Sequence, residues 1–210
     1  MKIALVITTL HVGGAERLVT SLADYFAEGG HRVLLVMLHG DVKLRPKHPA
    51  VEIVNLRMCR SLLSFLFGLM RLRRAVEKFE PDVVNSHLVH PNIMTRLLRL
   101  FMPVSRLISS SHNTNEGSRA RMLAYRLTDC LADISTNVSD EAVKTFENRG
   151  AVQPGRMVTV HNGINIDMFS FCGTAREDVR ANLNLSISTP LLLAVGRLSA
   201  QKDYPNLLRA

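Results

Sequence analysis

The tightest restriction on the fold comes from the first 38 residues. Ile3–Thr9 is short, β-branched and almost continuously apolar, so it reads as a buried strand. Ala15, Leu18, Val19, Leu22, Ala23 and Phe26 then recur at helical spacing, with Glu16, Arg17, Thr20 and Asp24 on the opposite face. Gly29-Gly30 stops that helix, and Val33–Leu38 forms a second apolar strand. A strand, helix and strand this compact implies parallel pairing through a right-handed crossover.

The pattern repeats along the chain. Further strands are predicted at Glu52–Leu56, Asp82–Ser86, Arg106–Ser110, Ala132–Val138, Met157–Val160 and Pro190–Val195. Helices are predicted at Leu62–Phe79, His90–Leu100, Gly117–Leu131 and Asp140–Asn148, with a short one near Glu177–Asn182. Asp41–Ala50, polar and carrying Pro46 and Pro49, is a loop. This alternation predicts an α/β fold with a doubly wound, mostly parallel, Rossmann-like sheet. Residues 1–169 form one complete domain on this reading, 170–189 a linker, and 190–210 the first strand and start of a truncated second domain. One strand and one helix cannot bury a core, so the natural protein is expected to be longer.

In such sheets ligands bind beyond the carboxyl ends of the strands. Gly13-Gly14 falls there, at the first strand-to-helix turn. Glycines admit close backbone approach, and the free N–H groups of a helix start favour an anion. Five of the eight histidines (His11, His39, His87, His112, His161) closely follow predicted strands, and His87 and His112 are read as site residues. For His39 and His161 a loop role is preferred. His87, His90 and His112 make only a weak metal site, with no H-E-x-x-H and few acids nearby. No Asp-x-Asp pair is available to hold a divalent ion on a diphosphate. Ser139 can cap the helix that follows it, whose first turn carries Asp140 and Glu141.

The formal net charge is +8, of which residues 1–106 contribute +7 and residues 107–210 only +1. That asymmetry suits an anionic partner. Aromatics make up 5% and Trp is absent, which argues against a stacking platform for nucleic acid. Cys59, Cys130 and Cys172 are dispersed, odd in number and outside any C-x-x-C, as expected of reduced thiols in a cytoplasmic protein. Lys2 before Ile3–Leu10 is too short a match for a secretory signal, and no apolar run reaches the ~18 residues that span a bilayer.

In order and spacing the motifs resemble the N-terminal half of a family 4 retaining glycosyltransferase of GT-B architecture. The resemblance rests on Gly-Gly-Ala-Glu at 13–16, Asn85-Ser86-His87, Ser110-Ser111-His112-Asn113 and Val138-Ser139. It continues through His161-Asn162-Gly163-Ile164-Asn165 with Phe169, and Gly196-Arg197-Leu198 with Gln201-Lys202-Asp203-Tyr204. It implies two Rossmann-like domains, the first binding the acceptor and the second most of the nucleotide sugar. Carried over, Gly13 and Gly14 approach the donor diphosphate, and Arg197 and Lys202 neutralise it as it departs. His87 is the catalytic candidate beside the reacting sugar; His112, Asn113 and Ser139 are acceptor-binding candidates. Reaction is expected with retention, without metal or cofactor. The family's paired glutamates lie beyond residue 210, so this chain alone is expected to be inactive.

Leu62–Phe79 is unusually apolar and is flanked by Arg57, Arg60, Arg71, Arg73 and Arg74. It reads either as a core helix or as a contact with an anionic membrane or lipid-linked acceptor, as in bacterial surface-polysaccharide synthesis. Two other classes compete: a non-catalytic acceptor- or membrane-binding domain, and a nicotinamide oxidoreductase. The second is disfavoured because G-x-G-x-x-G is missing and the second strand ends Met37-Leu38-His39-Gly40 without an acid.

Overall fold

The computed structural model describes residues 1–59, 61–114, 116–164, 166, 169–196, 198 and 202–210. It divides into two compact units, Met1–Gly163 and Ile164–Ala210.

In the first unit the elements are β1 (Lys2–Ile7), α1 (Gly14–Glu28), β2 (Arg32–Met37), β3 (Glu52–Asn55), α2 (Leu62–Phe79), β4 (Val83–His87) and α3 (Val89–Leu98). Then follow β5 (Leu107–Ser110), α4 (Arg119–Thr128), a 3-10 turn at Asp129–Leu131, β6 (Ile134–Asn137), α5 (Asp140–Asn148) and β7 (Met157–Thr159). All pairings are parallel, in the order β3-β2-β1-β4-β5-β6-β7. The order reverses between β1 and β4, which places the binding crevice of a doubly wound sheet at their carboxyl ends.

Alternation along β1 and β2 builds a core on each face. Ala4, Val6, Leu34 and Val36 pack with Leu72, Val76 and Phe79 of α2 and Met94 and Leu98 of α3. Ile3, Leu5, Ile7, Val33, Leu35 and Met37 face Val19, Ala23 and Ala27 of α1. Burial on both faces is why these strands read as continuous apolar runs. A third cluster joins Met122 and Tyr125 of α4, Phe146 of α5 and Met157 of β7, with the Tyr125 and Phe146 rings edge to face at 5.4 Å. Within the sheet's polar half, Arg96 is fully buried. It bonds Ser109, Thr128 and Ser135, pairs with Asp129 at 3.4 Å, and lies 4.8 Å from the centre of the Tyr125 ring.

Local chemistry sets the helix ends. Ser61, Ser118 and Ser139 each accept the backbone N–H three residues on, capping α2, α4 and α5. Gly30 and Gly150, at positive φ, close α1 and α5 with paired bonds, His31 N to Phe26 O and Ala151 N to Phe146 O among them. α2 turns only part of its surface inward. Gly68, Leu72, Val76 and Phe79 are buried, whereas Leu62, Leu63, Leu66, Phe67 and Met70 are exposed. No described helix is long and apolar enough to cross a membrane.

The second unit contains α6 (Gly173–Asn182) and a single turn, α7 (Tyr204–Leu207). The strand expected at Pro190–Val195 is not formed among the described residues: 190–195 carry no regular secondary structure, and Leu192 is 93% exposed. A strand is defined by its neighbour, and the described residues of this unit supply none. Two smaller differences occur in the first unit. The helix expected over Gly117–Leu131 starts at its Ser118 cap and ends in the 3-10 turn. β1 stops at Ile7, after which Leu10 makes a parallel bridge to Val42 and ties down the 41–50 loop.

Candidate functional site

Parallel register brings the candidate residues of the first unit to one edge. Ile7 at the end of β1 pairs with His87 at the end of β4, and His87 pairs with Ser110 at the end of β5. The turn that carries Gly13 and Gly14, His87, and the Ser111–Asn113 segment therefore share the carboxyl rim at the order reversal.

Gly13 is the N-cap of α1, in extended backbone and with no side-chain cap. A Cβ there would run into the Glu16 carboxylate, which folds back over the turn and accepts the Thr9 hydroxyl at 3.1 Å. A Cβ on Gly14 would meet nothing within 4 Å, so the backbone at that residue is open to a ligand. α3 likewise begins without a side-chain cap. Its N-cap, Leu88, holds φ 76° and ψ 163°, a conformation that strains any side chain and sits beside His87. The two helices flanking the reversal thus keep their first N–H groups unclaimed by side-chain caps, in contrast to the serine-capped α2, α4 and α5.

His87 is 2% exposed and His112 is half-buried. Their rings bond directly, His87 Nδ1 to His112 Nε2 at 3.0 Å, with the ring planes 31° apart. Burial and the neighbouring His112 push the His87 imidazole down to about 3; burial also lowers His112, opposed by the Glu16 carboxylate. Both rings are therefore neutral near pH 7. His90 is lowered by burial and by Arg121 and His39, which places those three groups in one neighbourhood. Behind the pair, Ser86 donates to Asn92 Oδ1 at 2.7 Å, Asn92 Nδ2 donates to Tyr125 at 2.8 Å, and Tyr125 meets Ser111 at 2.9 Å. This network fixes the segment that carries His112.

Asn113 is exposed, and its carbonyl accepts from Asn137 Nδ2 at 3.3 Å. Ser139 spends its oxygen as the α5 cap, accepting Ala142 N–H at 3.2 Å. His161 bonds the Val138 carbonyl at 3.0 Å, in keeping with a loop role. Lys202 belongs to the second unit, where its side-chain stem lies against Gly196. Arg197, Asn165, Gln201 and Arg60 lie outside the described residues. Among the described residues no group of three or more His, Cys, Asp or Glu could hold a metal ion, and the three cysteines are free and exposed.

Two residues were not singled out in the sequence. Glu116 is buried, and burial raises its carboxyl above the ordinary range. Glu16 stood out only as part of a motif, yet it shapes the Gly13 turn and charges the surroundings of His112. A signal for Glu16 existed, because an acid three residues after an N-cap commonly reaches back. Glu116 had none.

Fold and rim together define a Rossmann-like domain of the kind from which GT-B glycosyltransferases are built. Within that class the chain belongs to Glycosyltransferase Family 4, whose sequence profile matches residues 12–168. Among solved structures it is similar to sucrose-phosphate synthase from Thermosynechococcus elongatus, with a TM-score of 0.79 and 16% identity over 100% of this chain and 59% of that one. Anabaena Alr3699/HepE in complex with UDP and glucose gives 0.68 and 16%, over 88% and 50%. A glycosyltransferase from Rickettsia africae gives 0.74 and 13%, over 94% and 53%. The chain thus spans between half and three-fifths of these proteins. No curated protein matches it significantly.

Proposed function

We propose that the chain is the acceptor-binding part of a retaining glycosyltransferase that moves a sugar from a nucleotide-sugar donor to a glycan or lipid-linked acceptor. The observation that carries this reading is the shared rim: an open Gly14 backbone, two helix starts without side-chain caps and a neutral histidine pair, all at the order reversal of a family 4 sheet. Helix-start N–H groups favour the donor's phosphates, and the histidines supply hydrogen bonds for sugar hydroxyls. Arg197 and Lys202 take up the charge that develops on the departing diphosphate, so the reading needs no metal and no cofactor. Because Anabaena HepE was solved with UDP and UDP-glucose, uridine diphosphate sugars head the donors to be tried.

The test uses the protein encoded by the full reading frame, a panel of nucleotide sugars and glycan or polyprenyl-linked acceptors. Product anomers are read by NMR. Retention is expected, with His112→Ala and Lys202→Ala each lowering turnover by ~100-fold or more through lost preorganised electrostatics. An inverted product, or no transfer from any donor, overturns the reading. The 210-residue chain by itself is expected to bind acceptor without turning over.

The exposed apolar face of α2 favours a second element of the proposal: peripheral attachment to the cytoplasmic face of an anionic membrane. Leu62 is 76% exposed and Phe67 56%, beside an exposed Arg74. Arg73 is paired with Glu77, and Arg71 donates to the Leu56 carbonyl, so the apolar residues are the cleaner targets. The double variant Leu66→Asp/Phe67→Asp should keep the fold and stop sedimenting with phosphatidylglycerol vesicles. Undiminished sedimentation, or none by the parent, counts against membrane attachment.

A further inference from the structure

The basic surplus of the first half has a place in the fold that the roles above leave unused. Residues 42–48 form an extended strap that alternates: Val42, Leu44, Pro46 and His48 are half-buried, whereas Lys43, Arg45 and Lys47 are exposed. Both ends are tied. At the rim Leu10 bridges Val42, and its carbonyl accepts the Lys43 and Leu44 N–H groups at 2.9 and 2.8 Å. At the far end His48 N donates to Asp24 Oδ1 at 2.8 Å, about 15 Å along α1 from its start. The strap therefore carries its cations away from the rim in order, Lys43 first. The end of β3 closes on the start of the strap, because Asn55 Nδ2 donates to the Gly40 carbonyl at 2.8 Å. Arg57 follows, exposed, at φ 50°, with its N–H given to Asn55 Oδ1 at 2.8 Å. A left-handed arginine is strained, and such strain persists only where the surroundings fix it. Among the described residues neither Lys43, Arg45 nor Arg57 pairs with a carboxylate, and the one acid between 39 and 51 is the exposed Asp41.

From Arg57 the chain passes directly to the apolar first turns of α2. The Met58 side chain packs into the space that a side chain at Gly68 would take, and Cys59 N donates to Ser64 Oγ at 2.6 Å. Leu63 and Phe67, beside those contacts, are exposed. Along the carboxyl rim the order is thus the histidine pair at β4 and β5, the cations beside β2 and β3, and uncovered hydrocarbon at the start of α2. Three strand spacings, about 14 Å in all, separate the His87 rung from β3. A ligand lying along this path presents a saccharide, then an anion, then an apolar chain.

We propose that Lys43 and Arg57 hold the phosphate or diphosphate that joins the acceptor's saccharide to a lipid, and that the lipid chain lies on the first turns of α2. This rests on the reading of the rim as a sugar-transfer site, and it narrows the acceptor to phosphate-linked lipids. Charge makes the selection. Two cations without carboxylate partners form charge-assisted hydrogen bonds to a phosphate, whereas a neutral glycan leaves them in water. The donor's phosphates are taken, on the same reading, at the starts of α1 and α3, so the two anions do not compete.

The experiment titrates the 15N-labelled 210-residue chain with farnesyl diphosphate, farnesol and inorganic pyrophosphate, and reads dissociation constants from NMR shifts. Farnesyl diphosphate should bind about tenfold or more tightly than either of its halves. Lys43→Ala and Arg57→Ala should each weaken it about tenfold, as the loss of one charge-assisted bond does, and Leu66→Asp/Phe67→Asp should weaken it as well. Arg57→Gly relieves the left-handed backbone, so the fold is kept, and it should bind no better than Arg57→Ala. Lys47→Ala, at the far end of the strap, should change affinity by less than about twofold. A loss in Lys47→Ala equal to that in Lys43→Ala overturns the proposal, since a diffuse field would then be at work. Displacement of farnesyl diphosphate by UDP overturns it too, because the cations would then belong to the donor. If Lys43 and Arg57 govern sedimentation with phosphatidylglycerol vesicles and leave farnesyl diphosphate binding unchanged, the occupant is a bilayer headgroup and the proposal fails. In the full-length enzyme both variants should raise KM about tenfold for a polyprenyl-diphosphate-linked acceptor and leave the donor KM unchanged. Equal turnover of the same saccharide on a neutral alkyl chain removes the phosphate assignment and leaves the transferase standing. Binding as expected, with no transfer from any donor, removes the transferase and leaves the phosphate site.

Discussion

His87 stays neutral because water does not reach it, and that sets a pH dependence of stability. Unfolded, the ring takes a proton near its ordinary 6.5; folded, it does so only near 3. Between those limits the unfolded chain binds more protons, so stability rises with pH. The contribution is complete above about pH 6.5 and is lost as pH falls toward 3, with a slope of at most about 1.4 kcal/mol per pH unit. His90 and His112 shift in the same direction. Glu116 shifts upward, so its stabilising share disappears as pH rises through its folded value, the opposite sense. With three histidines against one carboxylate, the urea midpoint should drop between pH 7 and pH 5, and His87→Asn should make that drop shallower. A midpoint that climbs on acidification contradicts this account. At this scale the histidines were legible in the sequence because they follow apolar runs. Their bond was not, since it depends on register and side-chain depth. Arg96 was not legible either: nothing in its neighbourhood distinguishes the buried arginine from Arg99 one turn end later.

Elements announce themselves where their termini carry chemistry. α2 and α5 occupy the residues expected of them, each opened by a serine and α5 closed by Gly150. The Ser139 cap satisfies an amide that would otherwise go unpaired, so Ser139→Ala should remove about 1 kcal/mol from the unfolding free energy. Urea titration measures it, and a loss under a few tenths would mean that water or Asp140 replaces the hydroxyl. Pro190–Val195 is the opposite case. Its apolar composition suggests a strand, but composition describes one edge of a ladder and a ladder needs two. The 3-10 end of α4 was hidden for a related reason, because the Arg96–Asp129 pair that shapes it joins residues 33 apart. α2 was ambiguous as a string of letters, and its exposed first turns follow from where α3 and the sheet leave off.

At the scale of the whole molecule, the two units differ in what holds them. Met1–Gly163 has a seven-stranded ladder with apolar layers on both faces of β1 and β2. The described part of Ile164–Ala210 has helices but no ladder, and it leaves Leu192, Leu193 and Val195 in water. Limited proteolysis followed by mass spectrometry should find the first cuts within 164–210 and a resistant product close to 1–163. Early cleavage inside β1 or β2 would contradict the packing described. The doubly wound order was readable from the alternation of runs, since parallel strands joined by helices allow few arrangements. The register has a further consequence. His87 hangs from a ladder rung shared with Ile7 and Ser110, so its place is set by the rail and not by the loops around it. Rungs of the ladder, and not the connections that arch over them, therefore hold that one imidazole in place.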